Sequence, residues 1–325
     1  MISTGGSCFA QVCKRLESSP MLRLRLLPLF ALLALSLSAA AQLSTQITRI
    51  AAEAQGRVGV ACSLPGTPLD CNLHAADTFP MQSVYKLPIA MAALHAVEQG
   101  RLTLDQKVRF LPSDLPARDE YSPLRDEYPH ANVDIPLEDL LRRAVSESDN
   151  AACDLVLRLL ARPGVPDSGP SVVTRYLHSV GLTDITVVDS EKVLDSDEHL
   201  QYRNSATPRA LVELLRRLAD RSPLSAEHTR LLLGWMTATH TADQRVRALL
   251  PPGTVSADKT GTSGQGRAVM NATNDIALMT LPDGRRVALA VLVADARAPY
   301  AARERVIAQI ARAVYEAAVQ DGRRR

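Results

Sequence analysis

Apolar positions first recur with helical spacing over residues 42–54, where Ile47, Ile50 and Ala51 fall on one side. Two short apolar runs, residues 58–62 and 69–73, flank Pro65-Gly66-Thr67-Pro68 and read as a hairpin. Asp77-Thr78-Phe79-Pro80 then breaks the extended pattern. From 89 to 160 the pattern is helical, interrupted by loops bearing proline and aspartate. Residues 137–145 set Leu140, Leu141 and Val145 on one face, and 151–160 carry Leu155 and Leu159. Residues 163–206 predict mostly loop, with a short helix at 172–182. Thr207-Pro208 opens a helix that runs through Leu218, threonine as its cap and proline in its first turn, and another follows around 231–236. The period then changes to that of strands, at 254–259, 275–281 and 287–295. Pro282-Asp283-Gly284 makes a tight turn between the last two. An amphipathic helix over 301–319 precedes a basic tail at Arg323–Arg325.

The order is helix, strands, many helices, strands, helix. It predicts an α+β fold: an antiparallel sheet built from both ends of the chain, flanked by helices, with an all-helical domain inserted between the two halves. The expected boundaries are a leader at 1–41, a discontinuous sheet domain at 42–79 and 222–325, and a helical domain at 80–221 that includes the loop around Glu191. No internal repeat or low-complexity segment is present.

Charge and cysteine use change this picture only at the N-terminus. Met21-Leu-Arg-Leu-Arg25, an apolar run over 26–37 and Ser38-Ala-Ala-Ala-Gln42 have the three parts of a secretory signal, with cleavage near Ala41 and Met21 as an alternative start to Met1. The run is short for a membrane span and no second one follows, so the mature chain is expected to be secreted, periplasmic in a Gram-negative cell, and free of the membrane. The whole chain of 325 residues has a formal net charge of +2. Lys14, Arg15, Arg23 and Arg25 against Glu17 concentrate positive charge in the leader, leaving the remainder nearly neutral. Nothing in that balance points to a nucleic-acid partner. Cys62 and Cys71 lie symmetrically about the hairpin turn, either as a disulfide in an oxidising compartment or as two free thiols. Cys153 sits in a helical pattern as a small core residue.

The chemistry starts at Met81-Gln82-Ser83-Val84-Tyr85-Lys86. Positions three apart on a helix face the same side, so the Ser83 hydroxyl and the Lys86 amine can meet. Pro88 so close behind is tolerated only if the helix begins near Ser83. That puts Ser83 at a helix N-terminus, where backbone amides and the dipole favour negative charge. Alone, a serine three residues before a lysine is a weak signal.

Three further motifs follow in order: Ser148-Asp149-Asn150, Glu191 in a loop, and Lys259-Thr260-Gly261-Thr262 on a strand. The ordered set resembles that of the class A serine β-lactamases. The local wording, including Asn150-Ala-Ala-Cys153 and Lys259-Thr-Gly-Thr-Ser-Gly264, is similar to the PER-like branch, whose members are cephalosporinases. The resemblance covers nearly all of the mature chain. It implies Ser83 as nucleophile, the amides of Ser83 and Thr262 as oxyanion hole, and Lys86 as holder of the proton network or as base. It also implies Ser148 as proton relay to the leaving nitrogen and Asn150 as a ligand of the substrate amide and of Lys86. Lys259, Thr260, Gly261 and Thr262 form the edge that receives the substrate carboxylate. Arg245 matches an arginine some members use for the same anion; the alternative is a solvated charge at a helix end. Tyr121 matches an aromatic residue at the site entrance, or else packs.

Glu191 separates hydrolysis from mere acylation, because the acyl-enzyme needs a base that activates water. Asp189-Ser190-Glu191-Lys192-Val193-Leu194-Asp195 departs from the family: Asp195 replaces an asparagine that helps hold the water, and Asp189 replaces a bracing arginine. Asp197 and Glu198 are local competitors for the role of base. The implied activity is hydrolysis of cephalosporins and penicillins. The alternatives are a D-alanyl-D-alanine peptidase or penicillin-binding protein, or a β-lactam sensor that acylates and stops. No cofactor or metal is expected, since the seven histidines lack ligand spacing. The expected partner is a small β-lactam, with no nucleic acid, and a monomer is expected.

Overall fold

The computed structural model describes residues 42–162, 164–165, 168–220, 223–263 and 272–323. The expected leader at 1–41, Gly264 and the last two arginines of the tail lie outside the described residues, as does the Glu198 side chain. Helix α1 covers residues 42–51 and leads into β1 (Arg57–Ser63). The chain continues through β2 (Phe79–Pro80), α2 (Lys86–Glu98), β3 (Lys107–Phe110), α3 (Pro123–Glu127), β4 (Val133–Pro136) and α4 (Leu137–Arg142). Then come α5 (Asn150–Leu160), α6 (Gly169–Ser179), β5 (Ile185–Thr186), α7 (Glu191–Ser196), β6 (Ser205–Ala206), α8 (Pro208–Asp220) and α9 (Ala226–Thr237). Strands β7 (Ser256–Thr262), β8 (Thr273–Thr280) and β9 (Arg286–Ala294) precede the closing helix α10 (Tyr300–Arg323).

The main sheet has the order β1-β9-β8-β7, antiparallel throughout. Its first strand comes from the start of the described chain and the other three from the end. The period-two alternation of strands explains how both faces are covered. On β9, Val287, Leu289, Val291 and Val293 join α1 and α10 in one apolar cluster, with Ile47, Ile50, Ile307, Ile310 and Val314. The intervening Ala288, Ala290, Leu292 and Ala294 face the other cluster, which contains α2, α5 and α8. Small side chains on that face let α8 lie close against β1 and β9. Each fully buried Val or Leu contributes about 1.5–3 kcal/mol, so these two layers supply most of the driving force.

Several local expectations shift. The second hairpin strand reduces to one bridge, Val60 with Leu73, because the Asp70 carboxylate accepts the Asn72 N–H at 3.0 Å and turns the backbone away. Cys62 and Cys71 are joined as a disulfide across that turn, while Cys153 is a free, buried thiol. Phe79-Pro80 does not end pairing but makes a two-residue strand against Ser205–Ala206, short enough for a proline. The helix expected at 172–182 starts earlier, at Gly169, and gives way to Gly181 at φ 78°, which allows Leu182 N–H to reach the Leu177 carbonyl at 2.9 Å. Strand β7 runs to Thr262, past the expected end at 259. Thr207 caps α8 as expected, its Oγ1 accepting the Ala210 N–H at 3.1 Å.

Candidate active site

The Ser83–Lys86 motif begins on a 3₁₀ turn, Gln82–Tyr85, that passes directly into α2. Pro88 thus falls in the first turn of α2, where its missing N–H has no partner to lose. Gln82, just before Ser83, has φ 50°, an uncommon left-handed conformation for a residue with a side chain. Ser83 is half-buried at the start of this turn, and Lys86, one turn on, is fully buried.

Lys86 is the hub. Its Nζ donates to Ser83 Oγ at 2.9 Å, to the Ser148 carbonyl at 2.6 Å and to Asn150 Oδ1 at 2.6 Å, and lies 2.8 Å from Glu191 Oε1. Burial pushes the amine's pKa down, but neighbouring charges, Glu191 foremost, outweigh it and the net direction is up. Lys86 is therefore an ammonium at rest, a donor only.

Ser148 adopts φ 60° between a π-type turn over Arg143–Glu147 and α5. Asp149 fixes this corner. Its carboxylate accepts the Ala152 N–H at 2.8 Å, the Ser122 hydroxyl at 3.0 Å and the Leu124 N–H at 2.6 Å, so it joins the Tyr121 loop to the start of α5. Tyr121 itself remains 57% exposed. Burial and then the Asp149 charge raise its phenol pKa.

The Lys-Thr-Gly-Thr strand is the free edge of the sheet in the order above. Lys259 is fully buried, donating to Ser148 Oγ at 2.9 Å and to the Thr260 carbonyl at 3.0 Å. Burial, then the Lys86 charge, push its pKa well below the usual lysine value. Gly261 has no alternative: a Cβ there would lie 2.4 Å from the Met81 carbonyl oxygen and 3.1 Å from the Val84 nitrogen. Arg245 is buried, not a solvated helix end. Its guanidinium donates to the Gly261 carbonyl at 3.2 Å, the Asn274 carbonyl at 2.8 Å, Thr262 Oγ1 at 2.5 Å and Tyr300 Oη at 2.8 Å, with Glu304 at 3.2 Å. A planar fork of five donors suits this set of acceptors.

Glu191 does not sit in a loop. It opens α7, capped by Ser190, and only 7% of the residue is exposed. What holds it there lies outside the four motifs. Asp154, on the next turn of α5 after Asn150, accepts the N–H groups of Glu191 at 2.8 Å and Lys192 at 3.0 Å. The signal available in the sequence was an acidic residue four positions after Asn150, hence on the same helix face. Burial, then the Glu191 charge, push the Asp154 pKa up to about 7. The loop's base is braced without an arginine at 189: Asn204 Oδ1 accepts the N–H groups of Val188 and Asp189, its Nδ2 returns to the Asp189 carbonyl, and Arg203 pairs with the Asp189 carboxylate at 3.1 Å. Asp197 is exposed and occupied in capping a 3₁₀ turn through the His199 N–H. Asp195, one helical turn beyond Glu191, is partly buried.

Ser83, Lys86, Ser148, Asn150, Glu191 and Lys259 thus form one connected set of contacts, with Thr260, Gly261, Thr262 and Arg245 along the strand edge. The β-lactamase enzyme family model matches residues 42–318. The chain is similar to the extended-spectrum β-lactamase PER-1 of Pseudomonas aeruginosa, 36% identical over 274 residues that cover 84% of this chain and 86% of that protein. It is also similar to β-lactamase VEB-1 of the same organism, 32% identical over 289 residues covering 88% and 94%. Among solved structures, a β-lactamase from Chitinophaga pinensis DSM 2588 matches with a TM-score of 0.79 at 36% identity, over 85% of this chain and 99% of that one. This chain belongs to the β-lactamase enzyme family, as a class A serine member of the PER-like branch.

Proposed function

We propose that the protein hydrolyses β-lactam antibiotics, cephalosporins and penicillins, through an acyl-enzyme on Ser83 that a Glu191-activated water releases. The observation that carries the reading is Lys86 Nζ held between Ser83 Oγ at 2.9 Å and Glu191 Oε1 at 2.8 Å. The carboxylate is the base that activates water in deacylation, while in acylation Lys86 is the group that takes the Ser83 proton. In acylation Lys86 gives up one proton to solvent and takes the Ser83 proton while Oγ bonds to the lactam carbonyl carbon. The tetrahedral oxyanion is met by the Ser83 and Thr262 amides. The carbon–nitrogen bond then breaks, and the nitrogen takes a proton from Ser148, whose Oγ is refilled by Lys259, which regains a proton from solvent. In deacylation Glu191 takes a proton from water as the water oxygen bonds to the ester carbon, the carbon–Oγ bond then breaks, and the proton on Glu191 passes to Ser83 Oγ. Lys259, Thr260 and Thr262, with Arg245 behind them, receive the substrate carboxylate, Asn150 its amide, and Tyr121 borders the entrance.

The leader and the Cys62–Cys71 disulfide support export to the periplasm. Mass spectrometry of the periplasmic fraction would test this, with a mature N-terminus near residue 42 as the expected result.

Glu191→Ala tests the mechanism. The variant should consume nitrocefin once and stop, gaining the mass of one opened β-lactam, whereas Ser83→Ala should gain none. Turnover in Glu191→Ala within twofold of wild type would refute the base. A wild type that itself stalls as acyl-enzyme would instead mark a non-turnover binding protein.

A further inference from the structure

We propose that Asn274 is a positioning residue for the oxyanion hole, fastening the turn that presents Ser83 to the strand that carries Thr262. The proposal rests on the reading of Ser83 as nucleophile. Asn274 is fully buried on β8, opposite Gly261 of β7 and Leu292 of β9. Its Nδ2 donates to the carbonyls of Pro80 at 2.8 Å and Met81 at 3.0 Å, and its Oδ1 accepts the Val293 N–H at 3.1 Å. Two carbonyls on one side and an N–H on the other fix which end is nitrogen.

Both carbonyls belong to the three residues immediately ahead of Ser83. The strand register on either side of Asn274 is carried by the backbone and does not need this amide. The Met81 carbonyl is a point of convergence. It accepts Asn274 Nδ2 and the Val84 N–H, the latter at 3.3 Å, and it abuts Gly261 so closely that a methyl group there would come within 2.4 Å. The neighbouring Gln82 is held at φ 50°, a conformation that persists only where its surroundings enforce it. The separation of the Ser83 and Thr262 amides therefore depends on how the Met81-Gln82 turn seats on Gly261, and Asn274 is the side chain that seats it. The backbone carbonyl of the same residue accepts Arg245 Nη1 at 2.8 Å, which ties the anion-facing strand to the same point. A leucine of similar size would fill the space but leave both carbonyls and the Val293 N–H without their partner.

The test uses Asn274→Leu and Asn274→Ser, with three readouts: the acylation rate with nitrocefin in stopped flow, the melting temperature, and the infrared ester carbonyl band of the acyl-enzyme accumulated in a Glu191→Gln background. Asn274→Leu should slow acylation about tenfold or more, short of the roughly 10²–10³ that outright loss of an oxyanion donor costs, because the amides are displaced and not removed. Its ester band should move to higher wavenumber as the hydrogen bonds to the carbonyl weaken. Asn274→Ser, which keeps one donor, should recover part of both. A lower melting temperature with acylation within twofold of wild type and an unmoved band would overturn the proposal. So would failure of both variants to fold, which would make Asn274 part of the framework alone. If Glu191→Gln does not accumulate acyl-enzyme, the base assignment fails, and the acylation rates measured with Glu191 intact still judge Asn274.

Discussion

Asp154 holds Glu191 by its backbone: the carboxylate accepts the Glu191 N–H at 2.8 Å, while the Glu191 side chain turns the other way, to Lys86. With the Lys192 N–H at 3.0 Å, Asp154 takes up two of the donors that a helix start leaves unpaired. Removing it should loosen Glu191 without touching Ser83 or the oxyanion amides. Asp154→Ala is therefore expected to leave acylation nearly unchanged and slow deacylation about tenfold, less than the roughly 10²–10⁴ a general base contributes, because the base is loosened and not removed. A burst of chromogenic substrate followed by a slow steady state would show it. Equal slowing of both phases would mean that Asp154 acts on the whole site.

The same carboxylate gives the protein a pH signature. Its folded pKa is raised to about 7 from an ordinary 3.8, through burial first and the Glu191 charge second. The folded state then binds this proton more tightly than the unfolded chain does. Stability contributed by the group is full below the unfolded value and is lost as pH rises toward 7. The melting temperature of wild type should fall over that window relative to Asp154→Asn, which has nothing to titrate. Deacylation has the opposite trend, since protonated Asp154 is the weaker acceptor for the Glu191 N–H. Parallel melting curves for the two proteins would refute the assignment.

Lys86 and Glu191 form a buried ion pair at 2.8 Å, the lysine side chain wholly enclosed and the glutamate 10% exposed. Lys86→Met leaves a carboxylate without its counter-charge, and breaking such a pair costs about 3–5 kcal/mol. Replacing both partners, as Lys86→Met with Glu191→Gln, should restore most of that loss although neither variant turns over substrate. Thermal or denaturant unfolding measures this directly. A double variant no more stable than Lys86→Met would show that the cost lies elsewhere, in the Ser148 carbonyl and Asn150 that Lys86 also serves.

Where side chains act through a short local pattern, the sequence was informative. Ser83 and Lys86 are three apart on a helix start, and Pro88 marks that start. Lys259 lies in an apolar run that pairs as a strand. Glu191 follows a serine, a legible cap signal, and opens a helix where the surrounding residues read as loop. What stayed hidden depends on contacts far apart in the chain. Asn274 reads as one polar position in a strand until the fold brings Pro80 and Met81 beside it. Asp154 is one more charge on a helix until α7 docks on it. Arg245 could be a solvated end or a buried fork, and only the meeting of β7, β8 and α10 around it decides. The stretch 69–73 had the alternation of a strand, but Asp70 spent its carboxylate on the local backbone. Local patterns name the reacting groups, and tertiary contacts name the residues that aim them.

Lys259 carries the last prediction. It lies fully buried at the strand edge, with burial and the Lys86 charge pushing its pKa well below the usual lysine value. An anionic substrate favours the charged form, so carboxylate binding and retention of this proton are linked. In the free enzyme the proton is lost as pH rises through the depressed pKa, and affinity for a carboxylate falls with it. The alkaline limb of kcat/KM for nitrocefin should therefore begin well below the range of a solvated lysine. Arginine stays charged throughout. Lys259→Arg, whatever its overall rate, should move that limb to higher pH, with KM carrying more of the change than kcat. Profiles between about pH 7 and 10.5, near the ordinary lysine pKa, make the comparison. If both enzymes lose kcat/KM at the same pH, another group sets the limb and Lys259 remains protonated through the range.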